Sequence, residues 1–257
     1  MRITATSRSL TAIIDFETTG LSPTQGDRAT EVAIVLMEGD QVVDRFQSLM
    51  NAGVRIPPFI EAYTGISNEM IAKAPPAERV MADAARFVGG APMVAHNASF
   101  DRRFWEAELA RLDGPSPQPS PQRGEGVKPF ACTLLLSRRL YPQAPNHKLG
   151  SLAAFHALPS SGRAHRAMAD AEVAAALWGR IRRDVGERFG VPEPGHDLMI
   201  KVQAAPKAKV AGVVERFLAK AREVGVGGVD PASAGMTGPR RMKAEALDSR
   251  LRGNEDP

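Results

Sequence analysis

Acidic side chains occur in short segments whose residue types and spacing suit metal-assisted chemistry. Asp15 and Glu17 lie two positions apart at the end of LTAIIDFE, an apolar run that predicts a buried strand, so their carboxylates share one face. Neighbouring carboxylates raise each other's pKa unless a cation lies between them. Hard oxygen ligands of this kind suit Mg²⁺ or Mn²⁺. Isolated acidic pairs also occur at solvated strand ends, so this pair alone indicates only a candidate metal site.

Two further acids fall in the first turns of predicted helices. Asp101 closes the segment HNASFD after a short apolar strand, and Asp170 closes HRAMAD at the head of an alanine-rich helix. The helix dipole also favours an acid at such a position, and Asn97 or Ser99 could serve as an N-cap. His165 precedes the second helix and follows a Pro-Ser-Ser-Gly segment that we expect to be a mobile loop. Each segment thus places its acid at the edge of an element.

The elements that must position these acids change type along the chain. Apolar runs predict three successive strands, which suggests an antiparallel meander, and helical periodicity then alternates with short strands. Such an order indicates an α/β protein with a mixed sheet flanked by helices. The predicted strands are residues 10–17, 31–37, 41–50, 92–95 and 130–133, and the predicted helices are 77–88, 99–112, 134–140, 149–158 and 167–183.

Composition restricts the class of protein. The chain has 257 residues with a formal net charge of +4, which permits a polyanionic partner without requiring one. The single cysteine, Cys132, excludes an intramolecular disulfide and a thiolate zinc site. We find no apolar run that could span a membrane and no secretory signal, so we expect a cytoplasmic protein without membrane contact.

Shifts in composition divide the chain into regions. We expect a main domain at 1–185, interrupted by a flexible Pro-, Gly- and Ser-rich insertion at 113–129. A linker at 186–196 and a helical extension at 197–223 follow. The Gly-rich residues 224–257 predict a disordered tail.

Taken in order, the acidic segments resemble those of the DnaQ-like, or DEDDh, 3′–5′ exonucleases, the family of the bacterial polymerase III epsilon subunit and its stand-alone relatives. The likeness covers residues 8–185 and extends beyond the acids. Gly26-Asp27-Arg28 with Glu31 resembles the continuation of the family's first motif, which begins at Asp15. Thr64-Gly65-Ile66 resembles the segment before the second motif, which ends at Asp101. Lys148-Leu149 resembles the stretch before the third motif, which begins at His165. Tyr63 stands before Thr64-Gly65-Ile66, where many members of the family have a histidine. This departure bears on substrate preference.

The resemblance implies a ribonuclease H-like fold, with a mixed five-stranded sheet, and two divalent ions, Mg²⁺ or Mn²⁺. It implies that the protein hydrolyses DNA from the 3′ end and releases nucleoside 5′-monophosphates. It implies that four acids hold the metal ions, with one acid bridging them, and that a histidine is the general base. It also implies a pocket for the terminal nucleotide and an asparagine side chain that contacts the nucleic-acid backbone. These residues are Asp15 (bridging), Glu17, Asp101 and Asp170 for metal, His165 for the base, Thr18, Thr19 and Leu21 for the pocket, and Asn97 for the nucleic-acid backbone.

Several alternatives stay open at this point. Proofreading within a DNA polymerase and stand-alone repair both fit the motifs, and the lack of a clear clamp-binding peptide favours a stand-alone enzyme. An RNA exonuclease of the same fold and a non-catalytic, polymerase-associated binding module are the other candidates. Basic residues near the motifs could meet phosphates, although a solvated surface charge is the commoner role for each. These residues are Arg102, Arg103, Lys148, Arg163 and Arg166.

Overall fold

The computed structural model describes residues 10–112, 129–159 and 165–223. The predicted tail, the insertion apart from Pro129, and most of the loop before His165 lie outside these residues. The chain divides into two units, Met1–Phe217 and Leu218–Pro257. The first unit holds the sheet and almost all of the described helices. The described part of the second unit is residues 218–223, the last turns of a helix.

A mixed sheet forms the centre of the first unit and confirms the predicted fold class. Its order is β3-β2-β1-β4-β5. The first three strands form the expected antiparallel meander, and β4 and β5 add parallel to β1. The strands are β1 (Leu10–Thr18), β2 (Ala29–Glu38), β3 (Gln41–Leu49), β4 (Met93–Ala95) and β5 (Ala131–Cys132).

Helices connect and flank the strands. Each helix predicted from periodicity is present, with ends that differ by a few residues. The helices are α1 (Pro58–Thr64), α2 (Asn68–Ala72), α3 (Ala77–Val88), α4 (Ala98–Ala110), α5 (Thr133–Leu140), α6 (Leu149–Phe155), α7 (Ala167–Phe189), α8 (His196–Ala204) and α9 (Val210–Glu223). Not one of these helices is long and apolar enough to cross a membrane.

The two faces of β1 pack against different helices, and this places the acids. Ile14 and Phe16 belong to a core cluster that also contains α3 residues and, from α4, Phe104 and Trp105. Side chains alternate along a strand, so Asp15 and Glu17 point to the opposite face. That face is covered by α7, which packs on β1 and β2. Because both faces of β1 are buried, its sequence is almost continuously apolar up to Asp15.

The chain beyond the main domain differs in detail from the predicted boundaries. Helix α7 continues to Phe189, four residues into the segment 186–196 predicted as a linker, and ends where Gly190 takes φ 66°. Helix α8 then reaches the edge of the sheet. The Gln203 side chain accepts the N–H of Cys132 at 2.6 Å and donates to the Phe130 carbonyl at 3.1 Å. One glutamine therefore satisfies backbone groups in β5 and in the residue before it that would otherwise form an open edge.

Candidate active site

Three carboxylates meet at the end of β1. One oxygen from each of Asp15, Glu17 and Asp170 lies within 4.8 Å of the others. Asp15 and Glu17 come from the α7-facing side of the strand, and Asp170 comes from the first turn of α7. Side chains alternate along β1, and α7 begins beside the end of that strand. Acids that are 155 residues apart in sequence (170 − 15) therefore come together.

Asp101 joins this group from the other side of the strand. Strand β4 runs parallel to β1, so the carboxyl ends of both strands meet at one edge of the sheet. Helix α4 begins just after β4, and the Asp101 side chain, 2% exposed, accepts the backbone N–H of Phe16 at 3.3 Å. Asp101 is therefore bonded to the strand between Asp15 and Glu17.

Asn97 makes the turn that aims α4, but it does not cap the helix with its side chain. Its backbone is left-handed at φ 66°, its side chain makes no capping hydrogen bond, and it is exposed. Asn97 thus occupies the N-cap position, one of the two predicted, without a side-chain capping hydrogen bond. Asparagine tolerates this conformation better than most residues, because its short polar side chain carries little steric cost there.

The preceding residue, His96, anchors the same turn. Its Nδ1 lies 3.0 Å from the Thr133 hydroxyl, and its Nε2 lies 3.1 Å from the carbonyl oxygen of His147. Burial lowers the pKa of His96 to about 4, so the ring is neutral near pH 7. A carbonyl can only accept, so the proton of the neutral ring lies on Nε2. His96 and His147 thus have structural roles near the site.

His165 stands beside Asp170 at the start of α7. Its backbone N–H donates to Asp170 Oδ2 at 3.0 Å, and its φ of 63° is left-handed. Its ring stacks on Tyr63, with 4.0 Å between ring centroids and 29° between planes. The sequence did not indicate this contact, because Tyr63 lies on α1, 102 positions (165 − 63) before His165.

The electrostatics of the group favour a bound cation. Burial, then the charges of Asp101 and Glu17, raise the pKa of Asp15 well above its ordinary value. Burial, then Asp170 and Glu31, raise the pKa of Glu17 to about 8, and burial raises that of Asp101 to about 8.

Such carboxylates hold protons unless a positive charge replaces them. The donor set is made of hard carboxylate oxygens and fits a divalent cation of the Mg²⁺ type rather than a soft metal.

The residues expected to meet substrate have different exposures. Leu21 is 78% exposed, whereas Thr18 and Thr19 are buried at 8% and 4%. The Thr18 hydroxyl donates to the Gly20 carbonyl at 2.6 Å, and the Thr19 hydroxyl accepts the N–H of Arg28 at 3.0 Å. The two threonines therefore shape the loop after β1, and Leu21 presents an apolar side chain to solvent at its tip.

An ion pair with one buried partner lies beside the acids and has no local signal in the sequence. Among the basic residues near the motifs, the commoner role of a solvated surface charge does not hold for Arg166, because its guanidinium donates to Glu31 through Nε at 3.1 Å and Nη2 at 2.8 Å. The Glu31 side chain is 1% exposed. The only signal in the sequence was that Glu31 continues the first motif. The other described cations of that group, Arg102, Arg103 and Lys148, are exposed, as expected.

Comparison with known proteins gives a consistent result. The exonuclease family model RNase_T matches residues 12–178. The chain is 36% identical over 166 residues to "3′-5′ exonuclease DinG" of Bacillus subtilis (strain 168), covering 65% of this chain and 17% of that protein. It is 33% identical over 176 residues to "DNA polymerase III PolC-type" of Halalkalibacterium halodurans, covering 68% and 12%. The chain thus spans less than a fifth of the length of either relative.

Solved structures show the same architecture. Exonuclease X in complex with 5′ overhanging duplex DNA superposes with a TM-score of 0.53 at 29% identity, covering 68% of this chain and 92% of that one. The nuclease domain of 3′hExo, a DEDDh family member bound to rAMP, gives 0.56 at 19% identity, covering 70% and 94%. E. coli exonuclease I with a dT13 oligonucleotide gives 0.59 at 19%, covering 71% and 43%. These likenesses confirm the expected ribonuclease H-like fold.

Proposed function

This chain belongs to the exonuclease family, in its DnaQ-like DEDDh group, and from that premise we propose that it is a metal-dependent 3′–5′ exonuclease that hydrolyses DNA. The convergence of Asp15, Glu17 and Asp170 carries the proposal, because carboxylate oxygens within 4.8 Å of one another can together ligate a divalent cation. A non-catalytic binding module would have no use for so costly a group of closely spaced, partly buried acids.

The site residues divide the work of phosphodiester hydrolysis. Asp15, Glu17, Asp101 and Asp170 would hold two ions, Mg²⁺ or Mn²⁺, with Asp15 as the bridging ligand. When bound, such ions stabilise charge on the attacking and leaving oxygens of an in-line displacement at phosphorus. An imidazole nitrogen of His165 would accept a proton from the attacking water. The hydrogen bond from the His165 N–H to Asp170 keeps this base beside the acids.

The loop after β1 and the turn before α4 would receive the 3′ end of the strand. Leu21, exposed at the loop tip, would contact the terminal base, and the exposed Asn97 side chain would contact the backbone. Thr18 and Thr19 would form the wall of the pocket, since their hydroxyls are bonded within the loop. The products would be nucleoside 5′-monophosphates.

Relatives support DNA as the substrate. Exonuclease X, at 29% identity, was solved with 5′ overhanging duplex DNA, and the PolC-type relatives are DNA polymerases by name. We propose a role in proofreading or repair, and a stand-alone enzyme rather than a polymerase subunit. The PolC-type matches make a polymerase partner the alternative to be tested by co-purification.

Degradation of labelled strands tests the proposal. A 5′-labelled single-stranded DNA and the matching RNA are each incubated with the full chain in Mg²⁺, Mn²⁺ or EDTA. We expect a ladder that shortens from the 3′ end of the DNA in either metal and not in EDTA. Faster degradation of the RNA would overturn the choice of DNA. Absence of cleavage of both strands by folded protein would overturn the assignment of a nuclease and favour a binding module.

A further inference from the structure

Glu31 satisfies an unusual number of donors for a residue outside the proposed ligand set. It lies on β2 directly opposite Glu17 in the register of β1 and β2, so both side chains occupy one face of the sheet. Its carboxylate accepts two bonds from Arg166, the backbone N–H of Ala167 at 3.1 Å and the Gln47 amide at 2.9 Å. These partners lower the pKa of Glu31, so it stays ionised although it is buried.

The bonds of Glu31 hold the beginning of α7. Arg166 occupies the N-cap position but makes no side-chain cap bond, and the first free N–H of the helix, that of Ala167, goes to Glu31 instead. The residue before, His165, has the left-handed backbone described above, which costs energy for a non-glycine residue. Glu31 therefore fixes the turn of chain between the proposed base and Asp170.

Arg166 is also a potential competitor for the metal site. Its guanidinium bonds to Glu31, which lies directly opposite Glu17 in the register of β1 and β2, so the positive charge lies on the same face of the sheet as the acids. An arginine free to turn could pair with Glu17 in the planar, two-bond geometry that arginine and carboxylate prefer. Glu31 occupies that geometry, because Nε and Nη2 of Arg166 both bond to it.

We infer that Glu31 is a positioning residue that keeps Arg166 away from the metal-binding carboxylates while it anchors the start of α7. The inference rests on the proposed function, since it concerns the same acidic site. Loss of the Glu31 charge would release the guanidinium toward Glu17, where it would oppose a divalent cation.

A second pair in the fold provides a matched control. The Glu108 carboxylate, with a side chain 1% exposed, accepts Nε and Nη2 of Arg28 and the N–H of the next residue, Ala29. This is the same bonding pattern that Glu31 has with Arg166 and Ala167. Glu108, however, follows Asp101 by seven residues along α4, about two helical turns. Glu108→Gln should therefore cost stability without changing metal affinity.

The test measures Mn²⁺ affinity of the full chain by calorimetry, without nucleic acid, for wild type, Glu31→Gln, Glu31→Gln/Arg166→Met and Glu108→Gln. Glutamine keeps an oxygen that can still accept the Ala167 N–H. We expect Glu31→Gln to weaken affinity about 10- to 100-fold, the range usual for partners of metal ligands. The double variant should regain most of the loss, and Glu108→Gln should match wild type. Melting temperatures of the same samples report folding.

The outcomes separate the two proposals. If wild type binds no Mn²⁺, the proposed function fails, and this inference fails with it. If wild type binds but Glu31→Gln binds equally well, or the double variant is no better than the single one, the inference alone is overturned. Should Glu31→Gln not fold, the pair Glu31→Gln/Arg166→Lys and Glu31→Gln/Arg166→Met decides. The lysine variant must then bind more weakly, because it retains a loose positive charge.

Discussion

Asp101 and Asp170 reach the site on different helices, α4 and α7, and the two acids are held in different ways. Asp101 on α4 is 2% exposed and bonds to the strand itself through the Phe16 N–H. Asp170 on α7 is half-buried, and its recorded partner is the N–H of His165, in the segment that also carries the proposed base. Deep burial thus holds the acid of the α4 half of the site. Hydrogen bonds hold the partly buried start of the α7 half, whose later turns pack on the sheet.

This difference indicates that the two proposed ligands have different supports in the fold. A fully buried acid in a packed helix cannot move without disturbing the core that contains Phe104 and Trp105. The start of the α7 half is only partly buried at Asp170, His165 and Arg166, and it is held by hydrogen bonds to side chains rather than by core packing. The α4 half would thus fix the positions of the ions, and the α7 half would place the proposed base beside them.

The largest effect is expected where the two halves meet, at Asp15. Asp15→Asn keeps the volume of the side chain but removes the charge that both halves share. Turnover should fall by more than about 10⁴-fold, because several kcal/mol of charge stabilisation are lost and each 1.36 kcal/mol is tenfold. Cleavage of labelled DNA measures the loss, with the melting temperature in EDTA as the control for folding. Near-wild-type turnover would reject Asp15 as a metal ligand.

His165→Ala removes the proposed base from the α7 half and leaves the four acids in place. We expect turnover to fall about 10²- to 10⁴-fold, the usual contribution of a general base, and Mn²⁺ affinity to stay unchanged. Single-turnover cleavage and calorimetry on the same preparation measure the two quantities. A parallel loss of Mn²⁺ affinity would show that His165 belongs to the metal site rather than to proton transfer.

The pH dependence of stability should distinguish the two halves in metal-free protein. Glu17 and Asp101 keep their protons in the folded state up to a pKa of about 8, against 4.5 and 3.8 as ordinary values. The folded state therefore binds more protons than the unfolded state between these limits, and the free energy of unfolding must fall as pH rises through this range.

Melting temperatures in EDTA from pH 5 to 8 check this expectation. They should decline, and added Mn²⁺ at pH 8 should restore most of the loss. Asp101→Asn should flatten the decline more than Asp170→Asn, because Asp101 is the more deeply buried acid. A profile in EDTA that does not decline would contradict the raised pKa values.

A smaller effect is expected at Tyr63, which supports the His165 ring. The exposed Tyr63 side chain stacks on the imidazole, and such ring pairs contribute about 0.5–1.5 kcal/mol. Tyr63→Ala should lower kcat about 3- to 10-fold without changing Mn²⁺ affinity, since the proposed metal ligands are untouched. Tyr63→Phe keeps the ring and should behave as wild type. Equal kcat values for alanine and phenylalanine variants would exclude a role for the stack.

The smallest effect is expected on the α4 side, from removal of the insertion. Deletion of residues 113–129 with a short joining loop should leave turnover and Mn²⁺ affinity unchanged, because the segment is rich in Pro, Gly and Ser and lacks apolar periodicity. Turnover of labelled DNA and the melting temperature of the shortened chain test this. Loss of folding would show that the insertion is structural.

The sequence by itself determined the sheet and the acids. Apolar runs predicted the five strands seen in the described residues, including the short β4 and β5, and the acids stood at the end of β1 or in the first turns of helices. Both are local signals, since a strand or a helix start is encoded by residues adjacent in the chain. The end of α7 was less well predicted, because Gly186 lies within the helix and Gly190 ends it.

Only the tertiary structure decided which polar residues meet. Arg166 read as a surface cation because arginine is usually exposed, and its pairing with Glu31, 135 residues away, depends on how α7 packs on β2. The Arg28–Glu108 pair and the stacking of Tyr63 on His165 likewise join distant segments. No local pattern encodes such contacts, because they arise from the packing of helices and strands rather than from the spacing of residues within them.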